Sequence, residues 1–259
     1  MIDIHNHVVF SVDDGSKSIE QSIRMIKTAS EAGITEMCFT PHYMEDGYQT
    51  ERNVLEEKVS QIKEALASEK VNMKVYLGEE VFIFPNLPRS LDKVVCLNDS
   101  RYILIEFPLV EEVGYIEETI YELFSLGKVP IIAHPERYMA TARDFSFIQN
   151  IVAQGALLQI NANSLVGHYG REAKKLAMKL LAEDMVHFVG SDAHSSGGYE
   201  LLNESLKVLS GLVSKEKYLE LTEKNPGKVL NDEEIEQTYR KAEKKQKRGL
   251  LKSLLQVVG

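Results

Sequence analysis

The amino-acid sequence predicts an α/β fold, a closed or nearly closed barrel of seven parallel strands. Short apolar runs alternate with longer segments of helical periodicity, as in parallel strands joined by crossover helices. The length of 259 residues suits one large domain of this kind. Gly33, Gly127 and Gly155 each follow a helical run, where helix C-caps are expected. An open, doubly wound sheet is the alternative architecture.

The predicted strands are short and mostly apolar. In chain order they read IDIH, EMCFT, KVYLG, YILIEF, VPIIAH, ALLQIN and VHFVGSD. Helices are predicted over 18–33, 52–69, 115–127, 145–154, 171–184 and 200–211. We therefore assign residues 1–239 to the barrel and residues 240–259 to a separate C-terminal tail.

Six of the seven predicted strands end in imidazole or carboxylate side chains. These are His5, His7, His42, Glu80, Glu106, His134, Asp192 and His194. Because the C-terminal ends of parallel strands converge on one face of a barrel, these side chains are expected to meet in one cleft. Only one of the neighbours Glu79 and Glu80 can face that cleft. In the turn sequence DDG, Asp14 is a further candidate, and Asp13 is expected to be structural.

Imidazole and carboxylate without thiolate are typical of sites for divalent cations such as manganese, zinc or iron. With Asp14 there are nine candidate ligands, which is too many for one tetrahedral zinc ion. Clustered carboxylates also repel one another unless cations compensate their charge. The sequence therefore predicts two or three bridged metal ions, which would generate hydroxide near neutral pH and hydrolyse a phosphate ester.

Six motifs resemble the polymerase-and-histidinol-phosphatase (PHP) superfamily: DIHNHVVFSVDDG, TPHY, GEEV, LNDSRYILIEFP, PIIAHPERY and VGSDAHS. Within it they are similar to the metal-dependent tyrosine-protein phosphatases of bacterial capsule and exopolysaccharide operons. This resemblance extends in register from residue 1 to about residue 230. It implies the PHP fold, a distorted, TIM-like (β/α) barrel of seven strands. It also implies a site for three divalent ions, with manganese expected and iron or zinc as alternatives.

Carried over position by position, the resemblance implies a complete set of metal ligands. They are His5, His7, Asp14, His42, Glu80, Glu106, His134, Asp192 and His194. The resemblance thereby selects Glu80 over Glu79. Asp14, His42 or a metal-bound water would help to protonate the leaving phenolate, which is a tolerable leaving group because the pKa of tyrosine is near 10.

Arg137 matches an arginine that the family uses to hold the substrate phosphate, although Glu136 and Arg137 could instead form a surface ion pair. One position departs from the family pattern. Close relatives often place a second phosphate-contacting arginine seven residues after the aspartate of SDAH, and this chain has Tyr199 there. Arg171 and Lys174 are candidate substitutes for it.

The two cysteines do not fit a phosphatase that uses a cysteine nucleophile. Cys96 to Arg101 has the spacing C-x4-R, one residue short of C-x5-R, and Cys38 lies within an apolar strand. We therefore predict direct attack by metal-activated hydroxide, without a phosphoenzyme. The absence of a disulfide pattern and of a signal sequence suits a cytoplasmic protein.

Charge distribution indicates the kind of partner. A net charge of −9 disfavours nucleic acid, but residues 240–252 contain seven basic residues and one acidic residue. Leucines follow at helical spacing, so the tail is either a frayed terminus or an amphipathic segment that touches anionic lipid or a partner. The family resemblance implies an autophosphorylated, membrane-associated bacterial tyrosine kinase as substrate, a location at the inner membrane face, and a homo-oligomer.

Three alternatives to a tyrosine phosphatase stay open. Within the same fold, the chain could hydrolyse a small metabolite such as histidinol phosphate, or act as a nuclease-like phosphodiesterase. It could also be a non-catalytic regulator of polysaccharide assembly that keeps the fold as a scaffold. The intact set of candidate ligands weighs against the scaffold, because a repulsive carboxylate cluster has no use there.

Overall fold

The structure is a computed structural model that describes residues 1–111 and 113–236. Nine short strands lie in these residues: β1 (Ile2–Asp3), β2 (Glu36–Phe39), β3 (His42–Tyr43), β4 (Lys74–Leu77), β5 (Glu80–Phe82), β6 (Tyr102–Glu106), β7 (Val129–Ala133), β8 (Leu157–Asn161) and β9 (Phe188–Gly190). They form a three-stranded sheet, β1-β2-β4, and a six-stranded sheet, β3-β5-β6-β7-β8-β9. Every strand pair is parallel.

The nine strands correspond to seven passes of the chain. The predicted second strand is divided into β2 and β3 at Thr40 and Pro41, and the third into β4 and β5 at Gly78 and Glu79. Because β2 pairs with β4 and β3 pairs with β5, each divided strand belongs to both sheets. The barrel is distorted because these two strands are each divided between two sheets.

The barrel closes between its first and last strands. The amide of Asp192 donates to the carbonyl of His5 at 2.9 Å, and the amide of His7 donates to the carbonyl of Ala193 at 3.0 Å. Asn6 and Ala193 form a parallel bridge at the same place. The closed barrel predicted from the sequence is therefore confirmed, and the open sheet is wrong.

All six predicted helices are present: α1 (Ile19–Glu31), α2 (Arg52–Ser68), α3 (Ile116–Ser125), α5 (Phe145–Ala153), α6 (Arg171–Ala182) and α8 (Leu202–Leu212). Four further helices were not predicted: α4 (Met139–Arg143), α7 (Ser196–Glu200), α9 (Lys215–Leu219) and α10 (Asn225–Leu230). The helices α4 and α7 span five residues each, too few to show helical periodicity. The π-helical segment Glu220–Lys224 joins α9 and α10 without a break into one helix over 215–230, which the sequence analysis did not predict.

The apolar core has two layers. Alternate strand residues such as Tyr102, Leu104 and Ile131 pack together with Leu97 and Val229 in one buried cluster. Their neighbours Ile103, Ile105 and Ile132 pack in the other cluster with residues of the surrounding helices. Apolar side chains thus fill the body of the barrel and leave the C-terminal ends of the strands for polar groups.

In the part of the chain that the structure describes, no helix has the length and apolarity needed to cross a membrane. The division of the chain at residue 239 stays a prediction. The tail predicted at 240–259 lies outside the described residues.

Candidate metal centre

The carboxylate of Glu80, at the start of β5, lies among four imidazoles. Its Oε2 atom is 3.1 Å from His5 Nε2, 3.2 Å from His7 Nε2 and 3.2 Å from His42 Nδ1. Its Oε1 atom is 3.0 Å from His134 Nε2. These histidines come from three different barrel strands, so residues distant in sequence meet at one carboxylate.

Eight of the nine predicted ligands fall into three overlapping groups. Within each group the candidate ligand atoms all lie within 4.8 Å of one another. The groups are His5, His7, Glu80 and Asp192; His42, Glu80 and Glu106; and His7, Asp14, His42 and His194. The ninth residue, His134, contacts Glu80 and lies 3.7 Å from Glu106 through its Nε2 atom. The structure therefore brings all nine side chains together.

Exposure increases across the cluster from the barrel interior to its mouth. His5, His7 and Glu80 are completely buried. By contrast, 34% of the His194 side chain and 53% of the Asp14 side chain are exposed. The cluster is thus open to a substrate on the side of Asp14 and His194 and closed on the other.

Five buried atoms of the proposed ligands have no hydrogen-bond partner in the described residues. His134 Nδ1 is one, and the four that converge in the cluster are His5 Nε2, His7 Nε2, His42 Nδ1 and Glu80 Oε2. Their short contacts with one another lack hydrogen-bond geometry. Buried polar atoms are normally paired, so converging unpaired nitrogen and oxygen atoms indicate a site for a cation.

The pKa shifts agree with a cluster of strongly interacting charges. Burial raises the pKa of Glu106 to about 8, and repulsion from Glu80 and Asp192 adds to the shift. Burial alone would lower the pKa of His5, but the carboxylates of Glu80 and Asp192 raise it to about 9. Excess negative charge at the centre is therefore partly balanced by proton uptake, a role that divalent cations can take over.

A chain of amides in β8 orients two of the predicted ligands. His5 Nδ1 is 2.7 Å from Gln159 Oε1, and Gln159 Nε2 donates to Asn161 Oδ1 at 3.0 Å. Asn161 Nδ2 then donates to Asp192 Oδ2 at 2.6 Å. Because Gln159 Oε1 accepts the proton of His5 Nδ1, the lone pair of His5 lies on Nε2 and points into the cluster.

Gln159 and Asn161 were not among the residues predicted from the sequence. The strand ALLQIN was the one predicted strand without an ionisable residue at its end. The sequence feature that could have indicated them is a glutamine and an asparagine two residues apart in an apolar strand, because this spacing places both amides on one face.

Asp13 orients a second histidine, as its predicted structural role requires. Its Oδ2 atom lies 2.8 Å from His7 Nδ1 and accepts from the amide of His42 at 3.0 Å. Its Oδ1 atom accepts from the amide of Gly15. A Cβ atom on Gly15 would lie 2.2 Å from the carbonyl oxygen of His7, so only glycine permits this close approach.

Two of the predicted ligands have left-handed backbone conformations. His134 has a φ of +33° and Asp192 a φ of +51°. Residues other than glycine rarely adopt such values, although six further residues of the described chain, none of them a predicted ligand, do so as well. At both positions the backbone turns abruptly after a strand and points the side chain into the cluster.

Arg137 lies beside the cluster in the turn Pro135–Arg137 after β7. Its Nη1 atom donates to Asp192 Oδ2 at 2.7 Å, and its guanidinium carbon is 4.5 Å from the ring centroid of Tyr169. The surface ion pair considered for Glu136 is wrong. Glu136 is buried and accepts from the Ser164 hydroxyl at 2.7 Å.

Two neighbours of the cluster point elsewhere. Tyr199 is buried, and its hydroxyl donates to Asp3 Oδ2 at 3.4 Å, so it does not replace an arginine at the site. Glu79 accepts from the amide of Val95 at 2.7 Å, and burial raises its pKa to about 8. Glu80 is therefore the glutamate that faces the cluster.

The family of capsular polysaccharide synthesis proteins CpsB/CapC matches residues 1–231 of the chain. The chain belongs to this family. CapC of Staphylococcus aureus is 34% identical, and the match covers 97% of this chain and 100% of that protein. Tyrosine-protein phosphatase YwqE of Bacillus subtilis is 36% identical, with 75% of this chain and 78% of YwqE covered.

A solved structure supports the same relationship. It comes from work on YwqE of Bacillus subtilis and CpsB of Streptococcus pneumoniae, described as metal-dependent tyrosine phosphatases. It matches with a TM-score of 0.85 and 32% identity, over 91% of this chain and 96% of that one. The predicted family, barrel fold and enzyme class, a metal-dependent tyrosine-protein phosphatase, are confirmed.

Proposed function

We propose that this protein removes phosphate from phosphotyrosine in a protein substrate, with divalent cations held by the nine converging side chains. The observation that carries the proposal is the buried carboxylate of Glu80 in contact with four imidazoles. Such a cluster of charges does not stabilise a fold, whereas metal ions held by it would promote hydrolysis of a phosphate ester.

The unpaired buried atoms of the cluster fit a centre for metal ions. The proposed ligands are His5, His7, Asp14, His42, Glu80, Glu106, His134, Asp192 and His194. We expect about three ions, as the family resemblance implies, with manganese as the physiological metal and iron or zinc as alternatives. Such ions, when bound, lower the pKa of coordinated water and stabilise the charge that develops on a transferring phosphoryl group.

Arg137 is proposed to bind the substrate phosphate. One of its nitrogens is engaged by Asp192, which leaves other donors of the planar guanidinium free for two oxygens of a phosphate. Its side chain is about a quarter exposed, so a substrate can reach it. Arg137 would thus orient the phosphate against the cluster.

Asp14 and His42 are proposed to deliver a proton to the leaving phenolate. Asp14 Oδ1 lies 3.7 Å from His42 Nε2, at the exposed mouth of the cluster. A hydrogen bond with His194 is the main cause that lowers the pKa of Asp14 to about 2, so Asp14 is ionised near neutral pH. The proton that this pair passes to the phenolate would therefore come from the attacking water. The demand on this pair is modest, because a phenolate leaves readily.

Neither cysteine is available as a nucleophile. Cys38 and Cys96 are both buried, and burial raises the pKa of each thiol. No covalent phosphoenzyme is therefore part of the proposed reaction.

The proposed substrate is an autophosphorylated tyrosine kinase of polysaccharide export, at the cytoplasmic face of the membrane. The support is the chain's place in a capsular polysaccharide synthesis family. The basic tail at 240–259 would help the enzyme to reach that surface by contact with anionic lipid. If so, deleting residues 240–259 reduces sedimentation with anionic liposomes and spares aryl phosphate turnover, whereas unchanged sedimentation contradicts the lipid contact. Assembly into a homo-oligomer stays a prediction.

The central test uses chelated protein to which manganese, iron or zinc is returned stepwise. Turnover is compared on an aryl phosphate, a phosphotyrosyl peptide, histidinol phosphate and a dinucleotide. We expect metal-dependent hydrolysis of the first two substrates and little of the others. Preferential hydrolysis of histidinol phosphate would favour a small-molecule phosphatase, and no hydrolysis with any metal would favour a scaffold.

A further inference from the structure

A pocket of about 280 Å³ lies next to the candidate metal centre. It is formed by segments that follow β6, β7 and β8, so it belongs to the same face of the barrel as the cluster. Most of its lining is apolar or aromatic: Leu109, Tyr138, Met139, Ala142, Tyr169 and Leu176.

Arg137 and Tyr169 line this pocket, and Arg137 also contacts the proposed metal ligand Asp192. The Arg137 guanidinium packs over the Tyr169 ring and reaches Asp192 through Nη1. The stacked pair therefore forms a shared wall, with the proposed phosphate position on one side and the pocket on the other.

The rim of the pocket carries an exposed methionine and an exposed glutamate. Met139 is 38% exposed, and its amide donates to the carbonyl of Leu109, which joins two rim segments. Glu172 lines the same pocket with 71% of its side chain exposed, and its ion pair with Lys175 is long, at 3.9 Å. The rim thus offers apolar surface together with a weakly compensated negative charge.

We propose that this pocket binds an apolar side chain of the substrate protein, located within two residues of the phosphotyrosine. The proposal rests on the proposed function, since Arg137 must hold the phosphate for a neighbouring side chain to reach the pocket. An extended chain advances about 3.3 Å per residue, so adjacent residues can span a wall one side chain thick. Glu172 would disfavour an acidic residue at the same position.

The test compares matched phosphotyrosine peptides that carry leucine, glycine or aspartate at each position within two residues of the phosphotyrosine. We expect kcat/KM at one position to be about tenfold higher for leucine than for glycine, and lowest for aspartate. A small aryl phosphate serves as the reference, because it has no side chain to place in the pocket.

Two variants and one control variant test whether the preference arises in the pocket. Ala142→Trp fills the pocket. It should lower kcat/KM for the leucine peptide to the value for the glycine peptide and leave aryl phosphate turnover unchanged. Glu172→Lys should raise kcat/KM for the aspartate peptide relative to the glycine peptide. Ala182→Trp, at the far end of α6, introduces the same bulk outside the pocket and should change none of these ratios.

Three results would overturn the pocket assignment: equal rates for all peptides, an unchanged leucine preference in Ala142→Trp, or its equal loss in Ala182→Trp. Each of these results is compatible with active enzyme. Failure of the proposed function is a different result, namely no metal-dependent turnover of the aryl phosphate or of any peptide.

Discussion

The guanidinium of Arg137 is held from two directions, by the ring of Tyr169 at 4.5 Å and by the carboxylate of Asp192 at 2.7 Å. A free arginine side chain loses rotational entropy when it binds a ligand. Because these two contacts order Arg137 in advance, phosphate binding should cost less free energy. Tyr169 is in this sense a positioning residue for the phosphate.

Tyr169→Leu is expected to raise KM for an aryl phosphate about two- to fivefold with little change in kcat, since the stacking contact contributes about 0.5–1 kcal/mol. Tyr169→Phe should retain the wild-type KM because it keeps the aromatic face. Arg137→Ala should itself raise KM, and adding Tyr169→Leu to it should have no further effect. An equal effect of Tyr169→Leu in both backgrounds would show that Tyr169 does not act through Arg137.

Gly190 leaves room for the contact between His5 and Gln159. A Cβ atom at this position would lie 2.8 Å from Gln159 Nε2 and 3.1 Å from His5 Cβ. Gly190→Ala should therefore displace His5 and weaken metal binding about 10- to 100-fold, measured by titration of chelated protein. Gly211→Ala is the control, because no atom lies within 4 Å of the added Cβ. Wild-type metal affinity in Gly190→Ala would contradict the role assigned to Gln159.

His187 should make folding sensitive to acid independently of the metal centre. It is buried, its Nδ1 atom accepts from the amide of Leu158, and burial with the nearby Lys217 lowers its pKa to about 4. The unfolded pKa is about 6.5, so the stability that the neutral ring provides is present above pH 6.5 and is lost as the pH falls toward 4.

The variant His187→Asn keeps an acceptor and does not titrate. Between pH 7.5 and pH 5.0, the free energy of unfolding should therefore fall by about 2 kcal/mol less in His187→Asn than in the wild type. Urea unfolding with chelator present measures both proteins without bound metal. An identical fall in the two proteins would refute the buried, neutral state of His187.

The ionisable part of the centre could largely be predicted from the sequence, because eight of the nine candidate ligands stand at the end of an apolar strand and only Asp14 lies in a turn. His42 after EMCFTP and His134 after VPIIA are conspicuous once the strands are recognised. Choosing Glu80 over Glu79 required the family resemblance, since alternation alone does not say which neighbour faces inward. The structure places Glu80 in the cluster and pairs Glu79 with the amide of Val95.

The neutral residues around the centre could not be predicted in the same way. Gln159 and Asn161 carry no charge, and their partners His5 and Asp192 lie more than 30 residues away. The burial of Tyr199 depends on the packing of α7 against α1, which a local pattern does not reveal. These residues are therefore fixed by contacts between segments distant in sequence, which local sequence patterns do not encode.

Asp192 ties the cluster to both Arg137 and Asn161, so Asp192→Ala tests the ligand assignment most severely. It should lower aryl phosphate turnover at least about a hundredfold and reduce metal affinity while the protein stays folded. His134→Ala should have the same effect. Circular dichroism provides the control for folding, and wild-type rates in a well-folded Asp192→Ala protein would refute the assignment.

The most direct measurement is elemental analysis of the purified wild-type chain, combined with activity before chelation, after it, and after stepwise return of metal. We predict about three divalent ions per chain, loss of phosphatase activity on chelation, and recovery as the ions return. Full activity in a chain that has been shown to contain no metal ion would contradict the account.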